Sequence, residues 1–149
     1  MTITIRDATE EDIPAIFEVR TSVRENHLSV EQMSGMGITQ QTILAALRQE
    51  PCIWVAVDGH HIVGFSMADA ADACLFAAFV RPEWEGQGIG RRLMERAEAF
   101  LFQHHASIWL HTDGSSRAAG FYARLGWERM PEVKNRDARF EKHRPPTGD

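Results

Sequence analysis

The stretch from Leu75 to Leu101 restricts this chain more than any other. An apolar run, Leu75 to Val80, leads into Arg81-Pro82-Glu83-Trp84-Glu85-Gly86-Gln87-Gly88-Ile89-Gly90-Arg91-Arg92. A helix-period pattern follows, with Ile89, Leu93, Ala97, Phe100 and Leu101 on one face. Strand, glycine-rich loop and helix in that order present free backbone N–H groups to a phosphate at a helix N-terminus. Gly86, Gly88 and Gly90 have no Cβ, so a ligand can come close to the main chain. Arg91 and Arg92 add positive charge at the same end. The segment Gly86, Gln87, Gly88, Ile89, Gly90 and Arg91 therefore reads as a pyrophosphate cradle.

Spacing narrows which pyrophosphate this is. Gly86-x-Gly88-x-Gly90 lacks the third glycine of the dinucleotide fingerprint, and no Gly-Lys-Ser/Thr closes it as in a P-loop. A second landmark lies downstream, after one more helix and strand: Ser115-Ser116-Arg117-Ala118-Ala119-Gly120-Phe121-Tyr122-Ala123-Arg124-Leu125-Gly126-Trp127. The two segments together resemble the GCN5-related N-acetyltransferase (GNAT) family, which moves acetyl from acetyl-CoA to an amine. That family's loop reads Arg/Gln-x-x-Gly-x-Gly/Ala, and its later motif reads Asn-x-x-Ala-x-x-Phe-Tyr-x-x-Leu-Gly-Phe. The order of segments matches from residue 2 to about 142. Two positions depart from the pattern: Glu85 stands at the loop entrance, where a carboxylate beside a phosphate is expected to turn outward, and Ser115 replaces the asparagine.

The periodicities supply the frame. Residues 2–6 alternate as a strand. Thr9 precedes a helix whose Ile13, Ile16, Phe17 and Arg20 keep helical spacing, with three acids at its start. Residues 21–38 are irregular. Thr39 caps a helix over 40–49 that buries Ile43, Leu44 and Leu47. Strands over 52–57 and 62–67 flank an Asp58-Gly59 hairpin turn, and a third covers 73–80. The long helix runs to about Gln103. A strand over 107–111 is followed by a loop and cap at 112–115, a helix over 117–125 stopped by Gly126, and strands near 127–130 and 136–142. These elements predict an α/β fold with a mixed, mostly antiparallel central sheet and helices on both faces. They are expected to form a single domain over residues 1–143, with a frayed tail at 144–149.

Bulk properties limit the partners. Hydrophobic content of 44% and charged content of 25% suit an ordinary globular protein. The net charge of -5 argues against nucleic acid. No apolar run approaches the ~20 residues that span a bilayer, and Met1 to Arg6 has no signal-peptide layout. The expected setting is the cytoplasm, without a membrane partner. Cys52 and Cys74 sit in apolar stretches and read as buried, reduced thiols. No histidines or cysteines have zinc-ligand spacing, so no metal is expected.

The resemblance implies roles for particular residues. The strand ending at Val80 and the strand ending at His111 would splay apart to admit acetyl-CoA, its pantetheine pairing with the backbone of Ala78, Phe79 and Val80. Ser115 would touch the pantetheine arm. Tyr122, the only tyrosine, would sit near the CoA sulfur as general acid. His111 either accepts the proton of the amine or is a strand-end histidine bonded to a loop. Glu25, Asn26 and His27 either help to form the acceptor pocket or are a solvated helix end. The implied function is acetyl transfer to a primary amine, on a small molecule or a protein, by direct transfer in a ternary complex. Dimers are common in the family, so a homodimer is one possible assembly. A second reading keeps the fold without catalysis, as an acyl-CoA sensor or interaction module. Glu85, Ser115 and the acid-free strand before the loop favour it; the intact Phe121-Tyr122 pair opposes it. A nucleotide-binding regulator with another phosphate ligand is the third.

Overall fold

A computed structural model describes residues 2–23, 28–113, 115–131 and 137–145. Its frame is a seven-stranded sheet in the order β1-β2-β3-β4-β5-β7-β6. The strands are β1 (Ile3–Asp7), β2 (Ile53–Asp58), β3 (His61–Asp69), β4 (Cys74–Val80), β5 (Ser107–Asp113), β6 (Glu128–Arg129) and β7 (Asp137–His143). Every pairing is antiparallel except β4 with β5. The helices are α1 (Ile13–Ser22), α2 (Val30–Gly35), α3 (Gln40–Gln49), α4 (Ile89–Phe102) and α5 (Arg117–Arg124). None of them is long and apolar enough to cross a membrane.

Strand β2 explains the layering. Its side chains alternate between faces, yet Ile53 to Val57 are all buried. Trp54 and Ala56 pack with Leu93, Met94, Ala97 and Leu101 of α4, whereas Ile53, Val55 and Val57 pack with Ile13, Ile16 and Phe17 of α1 and Ile43 of α3. A strand covered on both faces reads as an unbroken apolar run. The expected α/β sandwich is therefore what forms.

Several boundaries differ from expectation, each for a local reason. The acids after Thr9 form a 3-10 turn, Glu10–Asp12, and α1 begins at Ile13. Asp12 turns back to accept from the Thr9 N–H at 2.8 Å and to pair with Arg6 at 2.7 Å. Burial pushes the Asp12 carboxyl up, but its bonds from Arg6 and Thr9 outweigh that and hold it below the usual carboxylate range. Of the three residues expected to be buried by α3, only Ile43 is; Leu44 and Leu47 are half-buried. The irregular region contains α2, whose cap Ser29 accepts from the Gln32 N–H while Gln32 accepts from the Ser29 N–H. Strand β5 continues through Thr112 and Asp113, which the sequence placed in a loop, and Ser116 is the cap of α5. Arg144, assigned to the tail, is tied down: its N–H donates to the Ala106 carbonyl and its guanidinium to the Phe102 and His105 carbonyls.

Candidate active site

A bulge opens the sheet. Across the β3–β4 ladder Met67 faces Ala77 and Ala68 faces Leu75, so Phe76 has no partner in β3. Such an extra residue bends its strand. Among the described residues, β4 and β5 share a single register pair, Cys74 with Trp109, reinforced by the Trp109 N–H on the Ala73 carbonyl at 3.0 Å. Beyond that point the two strands separate, and a cleft of about 1250 Å³ passes through the gap.

One end of the cleft is made largely of backbone. Gly86 and Gly88 have φ of 80° and 82°, and Gly88 is the N-cap of α4. These left-handed conformations favour glycine and turn the chain so that α4 starts facing the gap. At Gly90 an added Cβ would lie 3.4 Å from Phe121 Cζ, so α4 and α5 meet closely there. The α5 side is fixed by Asp113, whose Oδ1 accepts from the Ser115 N–H and hydroxyl, while its carbonyl accepts from the Ser116 hydroxyl.

The expected site residues largely converge on this cleft. Ala78, Phe79, Val80, Gly86, Gly88, Ile89, Gly90, Arg91, His111 and Tyr122 all line it. Gln87 and Ser115 are exposed and do not; the Ser115 hydroxyl donates to Asp113 instead. Glu25, Asn26 and His27 lie outside the described residues. Glu85 is exposed at the edge of the cleft, and its Oε1 accepts from Arg117 Nη1 at 3.3 Å, an ion pair with the facing helix.

Tyr122 is 8% exposed and stands among Phe121, Trp127 and Phe140, with ring centroids 5.6, 6.4 and 6.0 Å away. Among the described residues no hydrogen bond reaches its hydroxyl. Burial pushes its pKa up to about 12, so the group keeps its proton at neutral pH and can donate it. His111 is exposed on β5, on the face opposite Leu110. Its ring lies edge-on to Trp109 at 4.9 Å, and the Arg139 guanidinium covers Trp109 at 4.6 Å. Arg139 is also the cross-strand partner of His111. Burial raises the thiols of Cys52 and Cys74 to about 11 and about 12, which suppresses any thiolate nucleophile.

The other end of the cleft is made of side chains. Ile16, Phe17 and Arg20 of α1, Met33 of α2, then Met36 and Ile38 line it together with Phe76 and Phe79 of β4. The Arg20 guanidinium lies 4.2 Å from the Phe79 ring centroid, and burial lowers its pKa. Sequence reasoning did not single out Arg20, although a signal existed: an arginine continuing the apolar spacing of Ile13, Ile16 and Phe17 is a charge on a buried face. Phe76 had no such signal, because a bulge depends on the partner strand.

The family model described as "Acetyltransferase (GNAT) domain" matches residues 49–129. Solved structures share the fold across nearly the whole chain. The PaiA N-acetyltransferase from Thermoplasma acidophilum, in complex with coenzyme A, is 20% identical with a TM-score of 0.77, covering 97% of this chain and 100% of that one. Ard1 from Thermoplasma volcanium is 19% identical with a TM-score of 0.74, covering 96% and 98%. The ribosomal-protein-S18-alanine N-acetyltransferase from Escherichia coli is 20% identical with a TM-score of 0.67, covering 94% and 91%. At such identities the likeness establishes the fold. A search of curated proteins by sequence returns no match.

Proposed function

Because the chain belongs to the GNAT acetyltransferase family, and so is an acetyl-CoA-dependent acetyltransferase, we propose that it acetylates a primary amine, on a small molecule or a protein, by direct transfer between two substrates held in one cleft. The observation that carries this reading is the continuity of the cleft. The glycine loop, Tyr122 and the α1–α3 pocket all open onto the same gap between β4 and β5.

Each wall has a task in the reaction. Backbone N–H groups at Gly86 to Gly90, backed by Arg91, bind the pyrophosphate of acetyl-CoA. The free edge of β4 at Ala78, Phe79 and Val80 pairs with the pantetheine arm as an added strand would. A backbone N–H near Phe79 or Val80 polarises the thioester carbonyl. Acceptor and donor then meet through the gap, and holding two reactants in register supplies ~7–11 kcal/mol of the barrier. The amine nitrogen forms a bond to the carbonyl carbon as the carbon–sulfur bond breaks. Tyr122 gives its proton to the departing sulfur. The proton shed by the amine passes to His111, directly or through water. The raised thiol of Cys74 supports direct transfer over an acyl-cysteine route.

Release of free CoA thiol from acetyl-CoA, with and without polyamines, amino acids, aminoglycosides and short peptides, tests the proposal. Acceleration by an amine is the expected result. If no amine accelerates release while calorimetry registers tight acetyl-CoA binding, the reading of a primary amine as the acceptor fails.

A further inference from the structure

Resting on the reading of Tyr122 as the acid, we propose that Glu98 is a positioning residue: a buried clamp of Glu98, Trp127 and Lys142 fixes the turn after α5 and so holds the Tyr122 ring at the cleft. Glu98 is a carboxylate on the inner face of α4, 9% exposed beside the fully buried Met94, Ala97 and Leu101. Both of its oxygens are used, by two separate segments. Oε2 accepts from the Trp127 indole N–H at 3.0 Å, and Oε1 pairs with Lys142 Nζ of β7 at 2.8 Å. Lys142 Nζ also donates to the Leu125 carbonyl at 2.9 Å. Residues 125–127 are therefore tied to α4 on one side and to β7 on the other.

That turn carries Tyr122. The N–H groups of Leu125 and Trp127 both donate to the Tyr122 carbonyl, at 3.0 and 3.1 Å. The Tyr122 ring packs against Trp127 and against Phe140, which shares a face of β7 with Lys142. Each end of the clamp thus belongs to a wall around the tyrosine. Packing and main-chain bonds set where its hydroxyl points, and an acid displaced by ~1 Å loses about 100-fold in rate. A buried ion pair is a poor source of stability, since apolar replacements are often as stable. A fully satisfied polar network does select one arrangement of a core. Here it selects how α4, β7 and the turn after α5 meet around Tyr122.

Fluorotyrosine labels one site, because Tyr122 is the only tyrosine, and its fluorine resonance needs no acceptor. E98Q keeps every aromatic neighbour of Tyr122 but gives up one of the two contacts, because an amide has a single acceptor oxygen. It is expected to shift or broaden the resonance. It is also expected to lower kcat for thiol release at least about tenfold, with KM for acetyl-CoA little changed. E98L/K142M separates position from stability. With the buried charges gone it is expected to melt above E98Q, with kcat and the resonance no closer to wild type. An E98Q resonance identical to that of the wild type overturns the inference. So does recovery of kcat and resonance in step with the melting temperature in E98L/K142M. The acid reading fails separately: a resonance moved in both variants while kcat stays at the wild-type value would keep the clamp and remove Tyr122 as the acid.

Discussion

The glycine-loop end of the cleft, proposed to hold the cofactor, is built from main chain, whereas the α1–α3 end, proposed to hold the acceptor, is built from side chains. At the glycine loop, two left-handed residues and a helix N-terminus define a ligand surface within a few consecutive positions, Gly86 to Gly90. At the other end the wall draws on residues as far apart as Ile16 and Phe79, from α1, α2, α3 and β4. A backbone site has a short, fixed spacing and accepts a ligand feature common to many enzymes. A side-chain pocket has no spacing and can change its ligand by changing a few residues. Tyr122, the proposed acid, lines the cleft between them.

The largest expected effect tests that junction. Tyr122→Phe should lower kcat by about 100-fold, the loss of a positioned acid, with KM for acetyl-CoA little altered. A change confined to KM would make Tyr122 a packing residue. Its raised pKa sets the pH behaviour. The donating form is lost only as pH rises through about 12. The rate, corrected for spontaneous thioester hydrolysis, should therefore show no alkaline fall between about pH 8 and pH 10, where an ordinary tyrosine near ~10 would begin to ionise.

Next comes the backbone end. Gly88→Val forces a β-branched residue into a left-handed conformation, a strain of about 1–3 kcal/mol, and should raise KM for acetyl-CoA about tenfold while leaving KM for the amine unchanged. Gly59, in the β2–β3 turn with φ of 62° and open space around it, is the control. Gly59→Val should cost comparable stability in a thermal melt and leave both KM values alone. Equal kinetic effects from the two would mean that strain, and not lost phosphate contacts, explains Gly88.

Asp12→Ala is expected to act on the proposed acceptor end, because Asp12 ties Arg6 and Thr9 to the start of α1. Its loss should cost about 1–2 kcal/mol and raise KM for the amine more than for acetyl-CoA. The folded carboxyl lies below its ordinary range, so this contribution is present above that range and disappears as pH falls through the lowered value. The wild-type and variant melting curves should accordingly converge in acid. The smallest effect is Cys74→Ala, which should keep kcat within about twofold, since a buried thiol with a pKa near 12 carries no acyl group.

The sequence made the glycine loop and its helix legible because each requirement falls on one residue: Gly86 and Gly88 for left-handed turns, and Ile89, Leu93, Ala97 and Leu101 for the buried face of α4. The apolar run at 52–57 was legible as a strand, but not which helices cover its two faces, since that depends on elements far apart in the chain. Helix α2 escaped a reading by apolar period because it is only six residues long, although Ser29-Val30-Glu31-Gln32 carries the capping signal. The Phe76 bulge and the Glu85–Arg117 contact were not readable, since each is a relation between segments that the fold brings together. Arg20 continues the buried stripe of Ile13, Ile16 and Phe17, a position whose charge the spacing alone does not explain.

The central claim is that donor and acceptor occupy one continuous cleft at the same time. Initial rates of thiol release over a grid of acetyl-CoA and acceptor concentrations test it most directly. Double-reciprocal lines that intersect are the predicted result, as both substrates must be bound before acetyl moves. Parallel lines would contradict the account, because they require acetyl to rest covalently on the protein after CoA has left.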